Sequence, residues 1–367
     1  MDNRFFILSG ESSGDVHAAN LAKSIKKINP TIELVGWGGD KMRSAGVRIT
    51  KNLDELAFMG FWEVLSNIDK IRKNFIECKN TIIDLKINTL ILVDYPGFNL
   101  RIAKWAKERQ IKVVYYISPQ VWAWKKNRVF KIKKYVDSLY CILPFEKDFY
   151  KQFQYDVHYF GHPLLDEIKS FNYDQEFIKR QEKKQVLAIL PGSRKQEIEK
   201  KIKTMINAAL HFKNKYEIFV ACAPNIDDSF YNQFKTDSIC FVKGKTYELL
   251  SVAKIAIVTS GTATLETALF KVPQVICYKS SWLSYQIARK LIKVKYISLV
   301  NLILNDKIVE ELIQYRFNEK NIIKYLSEIE EGEVKRLDMI SSYSNLVQLL
   351  GVEGVSDRIA NHLIHNQ

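Results

Sequence analysis

Short apolar runs alternate with helix-length segments along this chain, and each run ends in a loop rich in glycine, serine or proline. Arg4–Leu8 leads into Ser9-Gly10-Glu11-Ser12-Ser13-Gly14-Asp15, and helix-period residues follow from Val16 to Ile28. Glu33–Gly36 breaks at Gly36-Trp37-Gly38-Gly39, Thr89–Val93 at Asp94-Tyr95-Pro96-Gly97, and Lys112–Ile117 at Ser118-Pro119. A strand followed by a crossover helix pairs parallel with the next strand, so the pattern predicts βα units in a parallel sheet. It restarts near residue 185. Gln185–Leu190 is followed by Pro191-Gly192-Ser193-Arg194 and a helix from Glu197 to about Lys213, and Glu217–Ala221, Ile255–Val258 and Gln274–Tyr278 supply further strands. From Ile308 onward the expectation is helix, ending in an amphipathic Asp357–His365.

The predicted fold class is therefore α/β, with two doubly wound Rossmann-like domains facing across a cleft and a linker within Gly161–Gln185. A chain of 367 residues has material for two cores. In such sheets ligands bind at the carboxyl ends of the strands. The loops after the strands are therefore the candidate sites.

Charge and composition narrow the function classes. The formal charge of +14 favours polyanionic partners: nucleic acid, an anionic membrane or a phosphorylated substrate. Lysines are dispersed rather than gathered in one stripe, which argues against nucleic acid. No run of 18 apolar residues is present to span a bilayer, and MDNRFFILSGESSGD does not read as a signal peptide. The five cysteines form no CxxC pair and read as reduced thiols of a cytoplasmic protein. The six histidines show no metal-ligand spacing, so no metal or cofactor is expected.

Several loops carry residue types suited to a phosphorylated or sugar ligand. In SGESSGD, Ser12 and Ser13 offer hydroxyls beside glycines that permit close backbone approach, although the same residues suit a plain helix start capped by Ser13 or Asp15. Asp94 at a strand end is a candidate general base for a sugar hydroxyl, but Asp before Pro is also common in turns. YISPQVWAWKKNR sets Trp122 near Lys125 and Arg128, a stacking face beside cations, with core packing of an indole the competing reading. Arg194, between a strand and a helix, can grip a diphosphate. Ser260, Gly261 and Thr262 stand at a helix start that favours anions, and Glu266 lies where a carboxylate could accept both ribose hydroxyls. Phe58–Phe75 has helical apolar spacing. With Phe61, Trp62, Leu65, Ile68 and the basic Arg72 it suits an interfacial membrane surface, and it equally suits a helix packed on its own sheet.

Taken in order, SGESSGD, AFMGFWEVL, VDYPGFN, YISPQVWAWKKNRVFKI, LPFEK, FGHP, LPGSRKQEI, TSGTATLET and YISLVNLI resemble the lipid-A-disaccharide synthases, from Ser9 to about Gln314. The resemblance implies a GT-B glycosyltransferase working without metal. Its domains would be residues 1–165, with 343–367 crossing back onto them, and residues 166–342. It would join UDP-2,3-diacylglucosamine to 2,3-diacylglucosamine 1-phosphate by inversion, giving a β-1,6-linked disaccharide phosphate and UDP, peripherally at the cytoplasmic face of the inner membrane. By position, Asp94 would be the base, Arg194 and Ser260–Thr262 would hold the diphosphate, and Glu266 the ribose. Asn301 and Gln314 match positions near the donor, and Ser12, Ser13, Trp122, Lys125 and Arg128 would face the acceptor. Gly97 and Val300 stand where the family often has Asp and Pro. The alternatives are another GT-B enzyme such as a UDP-sugar 2-epimerase, or a non-catalytic peripheral lipid-binding protein. A homodimer is left open.

Overall fold

A computed structural model describes residues 4–55, 68–282, 285–286, 289 and 294–365. It divides into two compact units, Met1–Ser170 with Leu350–Gln367, and Phe171–Leu349.

The first unit is built on seven parallel strands: β1 (Arg4–Ser9), β2 (Glu33–Gly38), β3 (Arg48–Asn52), β4 (Thr89–Val93), β5 (Lys112–Tyr116), β6 (Ser138–Cys141) and β7 (His158–Tyr159). Their order is β3-β2-β1-β4-β5-β6-β7. The central strands are continuous apolar runs because both faces are covered. Successive side chains point to opposite faces. Phe6, Leu8, Leu90, Leu92 and Tyr115 join one core, with the helix Pro96–Lys107. Phe5, Ile7, Ile91, Val93 and Tyr116 join the other, with the helix Ser12–Ile28. Val355, Ile359, Ala360 and Leu363 of the last helix, Val355–His365, belong to this second core. Asp166 fastens the start of that helix by accepting from the backbone N–H groups of Gly354, Val355 and Ser356 at 2.6, 3.1 and 2.8 Å.

The second unit has six parallel strands: β8 (Val186–Leu190), β9 (Glu217–Cys222), β10 (Ile239–Lys243), β11 (Ala253–Thr259), β12 (Gln274–Tyr278) and β13 (Glu310–Ile313). They are ordered β10-β9-β8-β11-β12-β13, a second doubly wound sheet. The expectation of helix from Ile308 onward is corrected here. Glu310–Ile313 pairs with β12, and its acidic start hid it because Glu311 points to a local hydrogen-bond network rather than to an apolar face. The single helix expected from Glu197 to about Lys213 is two helices, Lys195–Glu199 and Ile202–Leu210.

In each unit the strand order reverses at its middle, between β1 and β4 and between β8 and β11. Connections leave these neighbouring strands on opposite faces, which opens a crevice at their carboxyl ends. Among the described residues no helix is long and apolar enough to cross a membrane.

Candidate active site

At the switch point of the first unit, Ser9 of β1 pairs with Val93 of β4, so the loop carrying Glu11 lies beside Asp94. Asp94 and Tyr95 both adopt left-handed backbone conformations, each at φ 46°. Two such non-glycine residues in succession cost on the order of 1–3 kcal/mol each. The surroundings hold them there: the Asp94 carbonyl accepts from Asn99 Nδ2 at 2.7 Å and from the Tyr115 hydroxyl at 2.5 Å. Pro96 then opens the next helix with its φ already set.

This turn presents the Asp94 side chain to a cavity of about 240 Å³, which is also lined by Ser118, Trp124, Lys125, Arg128 and Glu146. Burial, with the Glu11 carboxylate adding repulsion, pushes the Asp94 carboxyl up to about 6, while a backbone N–H bond from Tyr95 opposes the rise. Glu146 is buried, and burial pushes it up to about 7 against the hydrogen bonds it receives. Its Oε2 accepts from Ile142 N at 3.2 Å and Leu143 N at 3.0 Å, and its Oε1 from Trp122 Nε1 at 3.2 Å. Trp122 is thus half-buried and edge-on to Phe145. Trp124 is the exposed indole, with Lys125 Nζ 4.2 Å from its ring centre.

Ser12 and Ser13 do not lie in a loop. They form the exposed first turn of Ser12–Ile28, which starts four residues earlier than the helical pattern suggested. Glu11 is the N-cap and makes no side-chain cap bond. Asp15 does not cap this helix either. It reaches the β2 loop and accepts from the N–H groups of Gly39 (2.7 Å), Lys41 (3.1 Å) and Met42 (3.3 Å). A side chain at Gly39 would stand 2.6 Å from Asp15 Oδ2, which accounts for the glycine just after β2.

In the second unit the loops after β8 and β11 flank the switch point, since Leu190 pairs with Val258. Arg194 is exposed at the N-cap of Lys195–Glu199. Gly192, at φ 119°, packs against Glu197, whose Oε2 lies 2.7 Å from where a Cβ would be. Gly261, at φ 146°, is the N-cap of Thr262–Leu269, and both it and Thr262 are exposed. Ser260 is tied down, its Oγ donating to the Ile297 carbonyl at 3.0 Å. Glu266, one turn inside the helix, accepts from the Tyr247 hydroxyl at 3.4 Å.

Asn301 is fully buried and its side chain is fully committed. Its Nδ2 donates to the Val309 carbonyl and to Glu311 Oε1 at 2.9 and 3.0 Å, and its Oδ1 accepts from Ile308 N and Val309 N at 2.8 and 2.9 Å. That leaves no bonding capacity for a ligand. Gln314 likewise joins two strand ends through three bonds to Ser280. Phe61, Trp62, Leu65 and the Ile68 side chain lie outside the described residues. Arg72 is exposed on the helix Ile68–Asp84, whose Phe75 ring meets Phe98 at 5.8 Å.

Residues 5–355 match the family model described as Lipid-A-disaccharide synthetase. The chain belongs to that family. It is 39% identical over 360 residues to a lipid-A-disaccharide synthase 1 of Legionella pneumophila, covering 95% of this chain and 93% of that one. The synthase of Syntrophus aciditrophicus is 37% identical over 364 residues, covering 96% and 95%. The enzyme is thereby a glycosyltransferase of lipid A biosynthesis. A UDP-GlcNAc 2-epimerase from Neisseria meningitidis, solved bound to UDP-GlcNAc, shares the GT-B fold at TM-score 0.68 over 99% of this chain and 100% of that one, with 12% identity.

Four residues of this family member escaped the sequence reading of its sites. Glu11 stood within a motif read for its serines and glycines. Glu146 follows Pro144 at the third helical position, a helix-start signature that could have found it. Trp124 stands two residues beyond Trp122 in one motif, and spacing alone does not say which indole lines the cavity. Glu311 left no signal, because EELI reads as polar helix.

Proposed function

We propose that the enzyme transfers 2,3-diacylglucosamine from UDP to the 6-hydroxyl of 2,3-diacylglucosamine 1-phosphate, inverting the anomeric centre. The observation that carries this reading is Asp94. It is a carboxylate fixed in a strained turn at a sheet switch point, facing a cavity with Lys125 and Arg128, and raised by burial to about 6. A base must be ionised near neutral pH yet basic enough to take a hydroxyl proton, and a value near 6 satisfies both. As the acceptor oxygen attacks, Asp94 takes its proton, the bond from the anomeric carbon to the diphosphate breaks, and UDP leaves. Lys125 and Arg128 suit the acceptor 1-phosphate.

For the leaving diphosphate, Arg194 and the N–H groups at Gly261 and Thr262 offer positive charge and donors at the second switch point. Glu266 suits the ribose. Asn301 acts through structure. With Glu311 it holds Ile297 and Ser298, and Ile297 in turn holds Ser260. The acyl chains of both substrates call for a peripheral seat on an anionic membrane. Incubation of the protein with both acylated substrates should yield UDP and a disaccharide phosphate by mass spectrometry. Free diacylglucosamine, or a changed sugar with no disaccharide, would refute the transfer.

A further inference from the structure

Between Trp124 and Tyr135 the chain carries six cations and no carboxylate: Lys125, Lys126, Arg128, Lys131, Lys133 and Lys134. None of the six forms an ion pair with another described residue, so their charge is not cancelled locally. The nearby carboxylates are already engaged. Asp137 is bonded to Lys107 and to Val113 N, and Glu146 is bonded to Ile142, Leu143 and Trp122.

The helix Arg128–Tyr135 explains the arrangement. Val129 and Ile132 face the core, which turns Phe130, Lys131, Lys133 and Lys134 outward. Phe130 is 60% exposed with its ring T-shaped against Phe153, and Trp124 is 46% exposed with Lys125 over its face, so two large aromatics still reach water beside cations that have no carboxylate partner. Lys133 is the exception among the six, because its Nζ donates to the carbonyls of Phe153 and Gln154 at 3.1 and 2.7 Å. Trp124, Lys125 and Arg128 also line the Asp94 cavity, so the surface begins at the rim of that cavity.

We infer that this helix face is a docking surface for an anionic lipid leaflet. Phe130 and Trp124 enter the interfacial layer, and Lys126, Lys131 and Lys134 lie against the lipid phosphates. Aromatic side chains fringed by lysines seat at a lipid–water boundary, where ring and charge are both satisfied. A nucleic acid would use the same cations, but it needs a groove that tracks its backbone. This face is the outer side of a helix. The inference rests on the acylated substrates proposed above. It adds to that reading the route by which an acyl-anchored sugar reaches Asp94 without leaving the leaflet.

The test is a full-length variant carrying Lys126→Glu, Lys131→Glu, Lys134→Glu and Phe130→Ser. Lys133 is kept for its carbonyl bonds, and the cavity residues are untouched. Co-sedimentation is measured on phosphatidylcholine vesicles with and without one third phosphatidylglycerol, and circular dichroism confirms folding. Binding to the anionic vesicles should fall at least about tenfold and be weakened by salt in the parent protein. Transfer between detergent-dispersed substrates should stay within about twofold. Anionic-vesicle binding within about twofold of the parent would overturn the inference. So would a variant that loses binding to a single-stranded oligonucleotide and keeps the vesicles. Vesicle binding and detergent-phase transfer are read separately, so a failed glycosyl-transfer reading would appear only in the second.

Discussion

Gly10 lies flat against the ring of Tyr95, and a Cβ at Gly10 would stand 2.6 Å from Tyr95 Cδ1. Tyr95 is the second left-handed residue of the turn that aims Asp94, so the glycine acts on the carboxylate through its neighbour's ring. Gly10→Ala should push the ring away and shift Asp94. We expect stability to fall by about 1–3 kcal/mol, as for overpacking elsewhere. Turnover should fall at least about tenfold, because small misplacements of a reacting group are costly. Unchanged turnover, with UDP affinity measured in parallel, would show that Tyr95 does not control the turn.

Asp94→Asn should cost at least about 100-fold in turnover, the scale of a general base, and leave UDP binding intact. In the parent protein the rate should rise with pH and level off above about 6, as Asp94 ionises. Glu11→Gln removes a negative neighbour and should lower the Asp94 value, moving the acid limb of the profile to lower pH. A limb that stays in place would separate Glu11 from the site.

Asp94 and Glu146 also affect stability in a predictable direction. Both have folded-state values above their ordinary ones, about 6 and about 7. The folded protein therefore binds more protons than the unfolded chain between about pH 4 and 7, and stability from these groups is lost as pH rises through that window. The double variant Asp94→Asn/Glu146→Gln should flatten the decline, as read from denaturant midpoints. A steeper decline would contradict the burial of these carboxyls.

Glu266→Ala should weaken UDP binding with little loss of stability, whereas Asn301→Ala should do the reverse. The Asn301 amide makes four bonds, and its loss leaves buried groups unpaired at about 1–3 kcal/mol each. Calorimetry with UDP, paired with thermal melting, distinguishes the two. Equal effects on binding and melting in both variants would collapse the distinction.

Transfer should survive EDTA, since Arg194 and the N–H groups at Gly261 and Thr262 are assigned the diphosphate charge. Loss of activity restored by Mg²⁺ would reassign that charge to a cation.

The parallel sheets were legible because β1, β4, β5, β8 and β11 are apolar runs ended by glycine, serine, proline or aspartate. Pattern reading failed where a strand is short, polar or at an edge. β3, β7 and β13 are examples, their residues chosen by local bonds such as those of Glu311 rather than by a hydrophobic face. Asp94 and Arg194 could be singled out as candidates because strand ends are where such folds bind. What Glu146 and Asn301 do depends on burial and on which nearby backbone and side-chain groups their polar atoms meet, and residue spacing does not carry that. SGESSGD shows the limit most directly. Its serines and glycines looked like ligand-binding chemistry, yet Gly10 serves Tyr95, Gly14 sits against Ser9, and Asp15 fastens the β2 loop.

The last helix, Val355–His365, supplies four residues to the core behind β1 and β4. A ribosome releases the amino-terminal end first, so these four emerge only after all of Phe171–Leu349 has been made. Until then the apolar side of Ser12–Ile28 lacks its cover, and the first unit waits, incompletely closed, through the synthesis of the second. The unit carrying Asp94 is thus begun first and finished last, and its nascent form is the one that chaperones would meet.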